Sequence, residues 1–227
     1  MKSFRIIHFV FLLLSINCLQ AQVKFSIASD ISFLHNFDGK QKFTVVGQSV
    51  IPQWHFDKKN TLYAWFSYHS NGKYKSTLLA SAKSSSTQPQ TISFSNQSEM
   101  RLRQFSLGIK KYLIGSYDKL ENFSLYATGG FGLIIGTASN TFSRFIDTAL
   151  YTIQSNVVHG VGDFKRLTLD VAGGVDFPVS YEVLIYTEVR MHIPTTNYPN
   201  SYLLKNTNAP FLAGINLGIR VLFNADP

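Results

Sequence analysis

Tyr68-His69-Ser70-Asn71-Gly72 is the stretch of this 227-residue chain with the residue types of a nucleophilic hydrolase. A serine hydroxyl attacks an ester when an imidazole within hydrogen-bond reach takes its proton. On an extended strand the adjacent His69 and Ser70 point to opposite faces, so that reach requires a bulge. No acidic partner stands nearby. The simpler expectation is that His69 is a wall residue and that Ser70-Asn71-Gly72 begins a loop. No catalytic residue is assigned, and the chain is expected not to be an enzyme.

His35, His55, His69, His159 and His192 are scattered without the spacing of metal ligands, so no metal and no cofactor is expected. Gly129-Gly130 and Gly173-Gly174 lie inside strand-like segments with no helix after them. They are expected to be bends in a barrel wall, not phosphate cradles. Two sets of charges remain. Lys24, Asp30, Lys110, Asp170, Asp176, Glu188, Arg190, His192 and Arg220, with Tyr126, alternate with apolar residues and should share one face as a paired polar network. Lys73, Lys75, Arg101, Arg103, Lys165 and Arg166, with Lys83 beyond them, cluster near segment ends as a basic rim suited to lipopolysaccharide phosphates.

The elements that must carry these residues are strands. Beyond residue 22 no window holds a helical stripe; segments of period-2 alternation recur instead. Val23, Phe25, Ile27, Ile31 and Phe33 oppose Lys24, Ser26, Ala28, Asp30 and Ser32. Similar ladders run near Phe105–Ile109, Phe123–Ile135, Leu167–Phe177, Val183–Ile193 and Phe211–Phe223. Residues 42–56 read as a strand with a register change near Gly47–Pro52. Residues 62–70 are apolar or aromatic on both sides, so their facing is open. The total is eight. Short links at 57–60, 115–122 and 178–181 alternate with long polar ones at about 74–98, 141–162 and 195–209, as in barrels with short periplasmic turns and long extracellular loops.

Which face is continuous separates a membrane barrel from a soluble one. The ladder from Phe211 to Phe223 is unbroken, whereas its other face is Gly214, Asn216, Gly218 and Arg220. Mixed charges and glycines make a poor hydrophobic core but can fill a narrow lumen, and a closed barrel satisfies its backbone in lipid. The expected fold is all-β: an eight-stranded antiparallel up-and-down transmembrane β-barrel. Eight strands leave an interior that side chains can fill. Tyr112, Tyr117, Tyr181, Tyr198 and Trp54 suit an interfacial girdle.

Residues 1–21 read as a signal peptide: Lys2 and Arg5, an apolar run from Ile6 to Leu14 too short to span a bilayer, and a small residue at Ala21. Residues 22–227 form the barrel domain. The only cysteine, Cys18, lies in the leader, so the mature chain has no thiol chemistry. Without Lys2 and Arg5, 19 basic residues face 13 acidic ones. For an exported chain that balance points to anionic lipid or lipopolysaccharide and away from nucleic acid. Sec-type export to the cell outer membrane is the expected route.

Several of these stretches carry a resemblance. Leu19-Gln20-Ala21-Gln22, Ala127-Thr128-Gly129-Gly130-Phe131-Gly132, Val171-Ala172-Gly173-Gly174-Val175-Asp176-Phe177 and the aromatic-terminated last strand resemble the small outer-membrane barrels of Bacteroidetes, porin-family and OmpA/OmpX-like. The resemblance spans nearly the whole mature chain, and it departs from the pattern where Asn224-Ala225-Asp226-Pro227 follows Phe223. With its lumen filled, the chain is expected to be a non-enzymatic integral outer-membrane barrel with a structural or protein-interaction role, carried by its long loops (about residues 74–98 and 141–162) and its rim. Such a barrel could be a subunit of a larger envelope complex with other outer-membrane or periplasmic proteins. A small ion-conducting pore is the alternative. Residues 68–72 are also similar to the His-x-Ser-Asn motif of outer-membrane lipid A deacylases, which would imply a hydrolase, but here the intervening residue is missing.

Overall fold

A computed structural model describes residues 24–39, 41–119, 122–155, 157–204 and 211–223. The expected signal peptide and the side chain of Lys24 lie outside the described residues. Among the described residues nine strands follow in order: β1 (Lys24–Asn36), β2 (Phe43–His55), β3 (Asn60–Ala82), β4 (Thr91–Ile114), β5 (Ser124–Phe142), β6 (Tyr151–Ile153), β7 (Gly160–Pro178), β8 (Val183–Pro194) and β9 (Leu212–Phe223). All pairings are antiparallel. Eight of the strands close a ring as β1 pairs β9, and β6 attaches only to β3 through Ala80, Ser81 and Ala82.

The register fixes the ring's geometry. A row of paired residues leaves β7 at Lys165 and passes through Ile135, Arg103, Tyr68, Gln48, Ile31, Leu217 and Thr187. It returns to β7 at Val175, ten residues along the strand. That stagger tilts the strands by about 40° to the barrel axis and leaves no sheet edge around the ring.

Alternation does the rest. Outside, Ile31, Phe33, Val50, Phe66, Leu107, Ile109, Phe131, Leu167, Val189, Ile215, Leu217 and Ile219 are exposed, although all are large and apolar. Inside, Ser26, Asp30, Gln53, Lys110, Asp170, Asp176, Arg190 and Arg220 are buried. This inversion is the membrane-barrel pattern, in which acyl chains cover the outer face.

Four details differ from the sequence expectations. The strand holding Gly47 and Pro52 keeps its alternation and its pairing with β1 without a shift. The one-residue bulge lies instead in β3, between His69 and Gly72, where Ser70 and Asn71 both face out. The expected loop over 74–98 is mostly strand: β3 and β4 pair up to Ser81 and Thr91, so only residues 83–90 turn. Because β2 pairs with β3 no further than His69, β3 runs on for about 12 residues beyond that pairing, roughly 40 Å of strand at about 3.3 Å per residue, beside β5 on the far side of β4 as far as Asn96. The link over 141–162 likewise contains β6.

Pairing is continuous through the glycine pairs, so neither marks a bulge. The inward member of each pair seats a ring. Tyr126 lies directly across from Gly174, and Tyr63 lies across from Gly108 and against Gly130; a Cβ at any of these glycines would collide with a phenol. Tyr186 sits across from Gly218 in the same way. Each bulky ring thus fills the space that its glycine partner leaves, on the lumen side.

The β2–β3 turn shows how a short link is fixed. Asp57 Oδ1 accepts the backbone N–H groups of Lys59 (2.6 Å) and Asn60 (2.8 Å), and Asn60 Nδ2 donates to Asp57 Oδ2 at 2.8 Å. The Asn60 side chain, then the Lys59 backbone, hold the Asp57 carboxyl below the usual aspartate value. A depressed folded-state pKa contributes stability that is present above the unfolded value near 4 and is lost as pH falls through the folded value. Asp57→Asn is therefore expected to flatten the acid limb of unfolding as pH falls below about 4. The check is the urea midpoint measured across that range, with no difference expected at pH 7 between slopes of the two proteins.

Candidate functional site

The lower half of the lumen, toward the short turns, is filled by charge in contact with charge. Asp176 on β7 accepts from Lys110 Nζ (3.2 Å), Arg220 Nη2 (2.8 Å) and Tyr112 Oη (2.8 Å). Three strands are tied together by one carboxylate. Arg220 Nη2 also donates to the carbonyl of Tyr117 at 2.8 Å, and Lys110 Nζ lies 3.5 Å from the centre of the Tyr126 ring.

At mid-depth, Glu188 accepts from Arg190 Nε at 2.7 Å and from Asn216 Nδ2 at 3.2 Å. The Arg190 guanidinium lies over Trp65 at 4.7 Å, and His192 stacks on the same indole at 5.1 Å. His192 Nδ1 meets Asp170 Oδ1 at 2.8 Å, while Gln104 Nε2 and Ser106 Oγ donate to the same carboxylate. Asp30 pairs with a phenol: Tyr186 Oη donates to it at 2.7 Å. The void among Tyr63, Lys110, Tyr126, Tyr186, Glu188 and Arg190 measures about 10 Å³, room for no more than one water.

The charges named from sequence as a network are thus brought together, Lys24 excepted. Sequence reasoning missed their neutral partners Gln104, Ser106, Tyr112, Tyr63, Trp65, Tyr186 and Asn216. Their parity along each strand carried that signal. Tyr112 and Tyr117, expected at the interface, are buried inside, whereas Trp54, Tyr181 and Tyr198 are exposed.

The upper half of the lumen contains an apolar cluster, which the sequence expectation of a polar interior did not include. Leu34, Phe43, Val45, Tyr74, Met100, Leu102, Ile134, Phe164 and Leu212 form one cluster, and Leu203 from the β8–β9 loop inserts into it. That loop is held as a cap. Arg166 Nη2 donates to the Tyr198 carbonyl (2.7 Å), Asn140 Nδ2 to the Tyr202 carbonyl (2.9 Å) and Asn200 Nδ2 to the Asp163 carbonyl (2.9 Å). Arg166 therefore departs from the expected rim. Its position on β7 faces inward, it is buried, and its guanidinium anchors the cap.

The other rim residues do face out. Arg103 and Lys165 flank Ile135 on neighbouring strands, and Arg101 lies one outward position above Arg103. Lys73 pairs with Glu99 at 3.0 Å, and Arg101 Nε donates to Asn71 Oδ1 at 2.9 Å. Directly below them the outward positions are Phe66, Phe105, Leu133 and Leu167. The basic row therefore lies along the upper border of the apolar band.

The hydrolase motif is not assembled. His69 faces the lumen with Nε2 2.8 Å from Ser32 Oγ, whereas Ser70, within the bulge, is exposed on the outer face. Among the described residues, no three His, Cys, Asp or Glu side chains converge in the manner of a metal site.

No family model matches the chain, and no curated protein matches it. Solved structures do. Neisserial surface protein A is 12% identical, with a TM-score of 0.51 over 88% of this chain and 97% of that one. The outer membrane protein OprG of Pseudomonas aeruginosa is 10% identical, with a TM-score of 0.50 over 89% and 97%. A major outer membrane protein of Thermus thermophilus is 8% identical, with a TM-score of 0.51 over 89% and 100%. With the closed ring and the outward apolar band, these likenesses give the chain the fold of the small outer-membrane β-barrel proteins.

Proposed function

We propose that the chain is a non-enzymatic integral protein of the outer membrane, exported by the Sec route, whose barrel is a closed scaffold and whose role is structural or interactive. The observation that supports this reading is the double obstruction of the lumen. Below, Lys110, Asp176, Arg220 and Tyr112 bridge it; above, Leu203 seals an apolar cluster. An ion crossing the upper half would meet that apolar cluster and the inserted Leu203 across its path, where partial loss of hydration is costly. The hairpin above the ring and its basic border are then the surfaces left to act. Planar-bilayer recordings of the reconstituted barrel are expected to be electrically silent. Stepwise conductance would favour the small-pore alternative and sink the closed-scaffold reading.

The partner class that fits the border is the phosphate of outer-leaflet lipopolysaccharide. Arg103 and Lys165 have no carboxylate in contact among the described residues, and apolar side chains lie below them to meet acyl chains. Two cations near such a surface contribute about 1 kcal/mol each at low salt. The double variant Arg103→Gln/Lys165→Gln should therefore bind lipopolysaccharide roughly thirtyfold more weakly in nanodisc pull-down titrations. Equal binding would remove the rim from the account.

A further inference from the structure

Beyond the ring, the link between β5 and β7 forms a half-open cleft of about 460 Å³ whose walls include Phe142, Phe145, Ile146, Ile153 and Val158. Its size falls within the range of small-molecule sites, which are concave and mostly apolar with a few placed polar groups. The pocket is set in backbone that is already fixed. Ser143 N donates to the Ser95 carbonyl (2.9 Å), Gln154 N to the Leu79 carbonyl (2.9 Å), and Val158 N to the Ser201 carbonyl (2.8 Å). Walls held in this way need little ordering when a ligand arrives. Phe145 is 89% exposed, and it lies outside the band that lipid would cover. Solvent-facing aromatic surface of that kind marks an interaction site.

The polar groups at the pocket choose the ligand's charge. Asp147 lines the pocket; its Oδ1 accepts the Ala149 N–H at 2.8 Å within its own turn, and among the described residues no ion pair joins it to Arg144. His159 sets its ring edge-on against Phe142 at 5.5 Å. Arg144 also lines the pocket, and its guanidinium has no hydrogen bond or ion pair among the described residues. An apolar cleft with one uncommitted cation is complementary to a molecule with an apolar body and one negative group.

We propose that this pocket binds a small amphipathic anion, its ring or short chain seated against Phe142, Ile146 and Val158 and its carboxylate or sulfonate on Arg144. The site lies apart from the lumen and the basic border, so it stands whether or not the barrel conducts.

The probe is 2-naphthoate, with 2-naphthamide as its uncharged counterpart, titrated into the mature protein in zwitterionic nanodiscs and followed by saturation-transfer NMR. Empty nanodiscs provide the baseline. Saturable binding of naphthoate is expected, at least tenfold weaker for the amide. Arg144→Gln should erase that preference for charge, and Val158→Trp should fill the cleft and abolish binding of both probes. Both substitutions lie in an external link, and retention of a folded band resistant to SDS verifies the barrel in each. Signal no greater than for empty nanodiscs would overturn the proposal. So would naphthoate binding equally to wild type and Arg144→Gln. Self-association lost in Val158→Glu, without probe binding, would assign the cleft to a second copy of the chain and overturn it as well.

Discussion

Asp176→Ala is expected to lower the unfolding free energy by about 3–5 kcal/mol, the cost of leaving buried charge without its partner. The carboxylate is fully buried and is met by Lys110 and Arg220 together, so its removal leaves two cations facing each other in the lumen. Tyr112 loses its acceptor in the same step. An isosteric Asp176→Asn keeps the volume and removes the charge, and should recover little. The informative combination is Asp176→Asn with Lys110→Met, which deletes one cation along with the anion. Replacing a whole buried pair by apolar groups of similar volume is often neutral. The double variant should therefore be more stable than Asp176→Asn alone. Urea unfolding in lipid vesicles provides the comparison. With Lys110→Met measured alone to complete the cycle, a double variant whose effect equals the sum of the two singles within about 0.5 kcal/mol would mean that Lys110 and Asp176 are not energetically coupled.

How much of this could be read in the sequence follows from which contacts are local to a strand. Period 2 assigns a face to every residue of a strand, so Asp170 and Asp176 could be placed with Glu188, Arg190 and Arg220 before any coordinate was known. The ladder from Phe211 to Phe223 placed the outside in the same way. What parity cannot give is register. Nothing in the chain near Asp176 says that Lys110, 66 residues away, is the cation that reaches it. The pairing of Tyr126 with Gly174 depends on the same unseen stagger, and so those glycines look like bends when read alone.

Axial depth was hidden for a related reason. Leu34, Val45, Leu102, Ile134 and Leu212 fall on the inward face of their strands, but single-strand alternation does not say that all five reach one level. The apolar cluster of the upper lumen exists only once the strands are staggered. Arg166 shows the same limit from the other side. It neighbours Lys165 in sequence, yet one residue's step turns it from the border into the barrel, where the Tyr198 carbonyl waits. The bulge at His69–Gly72 is a third case, since its place depends on where β4 resumes pairing at Met100.

Leu217→Arg tests the outward face as directly as Asp176→Ala tests the inward one. Leu217 is 58% exposed in the middle of β9, and its row neighbours are Ile31 and Thr187. In water an exposed leucine can become arginine with a change within about 0.5 kcal/mol, because nothing packs on it. In a bilayer the same substitution places a guanidinium among acyl chains and costs about 2–4 kcal/mol at the midplane, falling to about 0–1 near the interface. Phe223→Arg, at the end of the same strand and face, supplies the interfacial control. A depth-dependent pair of penalties measured in vesicles is therefore the signature of a membrane-facing wall. Equal small effects at both positions would mean that the apolar band faces something other than lipid. The sign of the difference matters more than its size. A soluble barrel with a buried apolar wall could give two large penalties, and one exposed to water two small ones. Of these environments, the bilayer is the one whose penalty falls along a single strand face from its centre to its end.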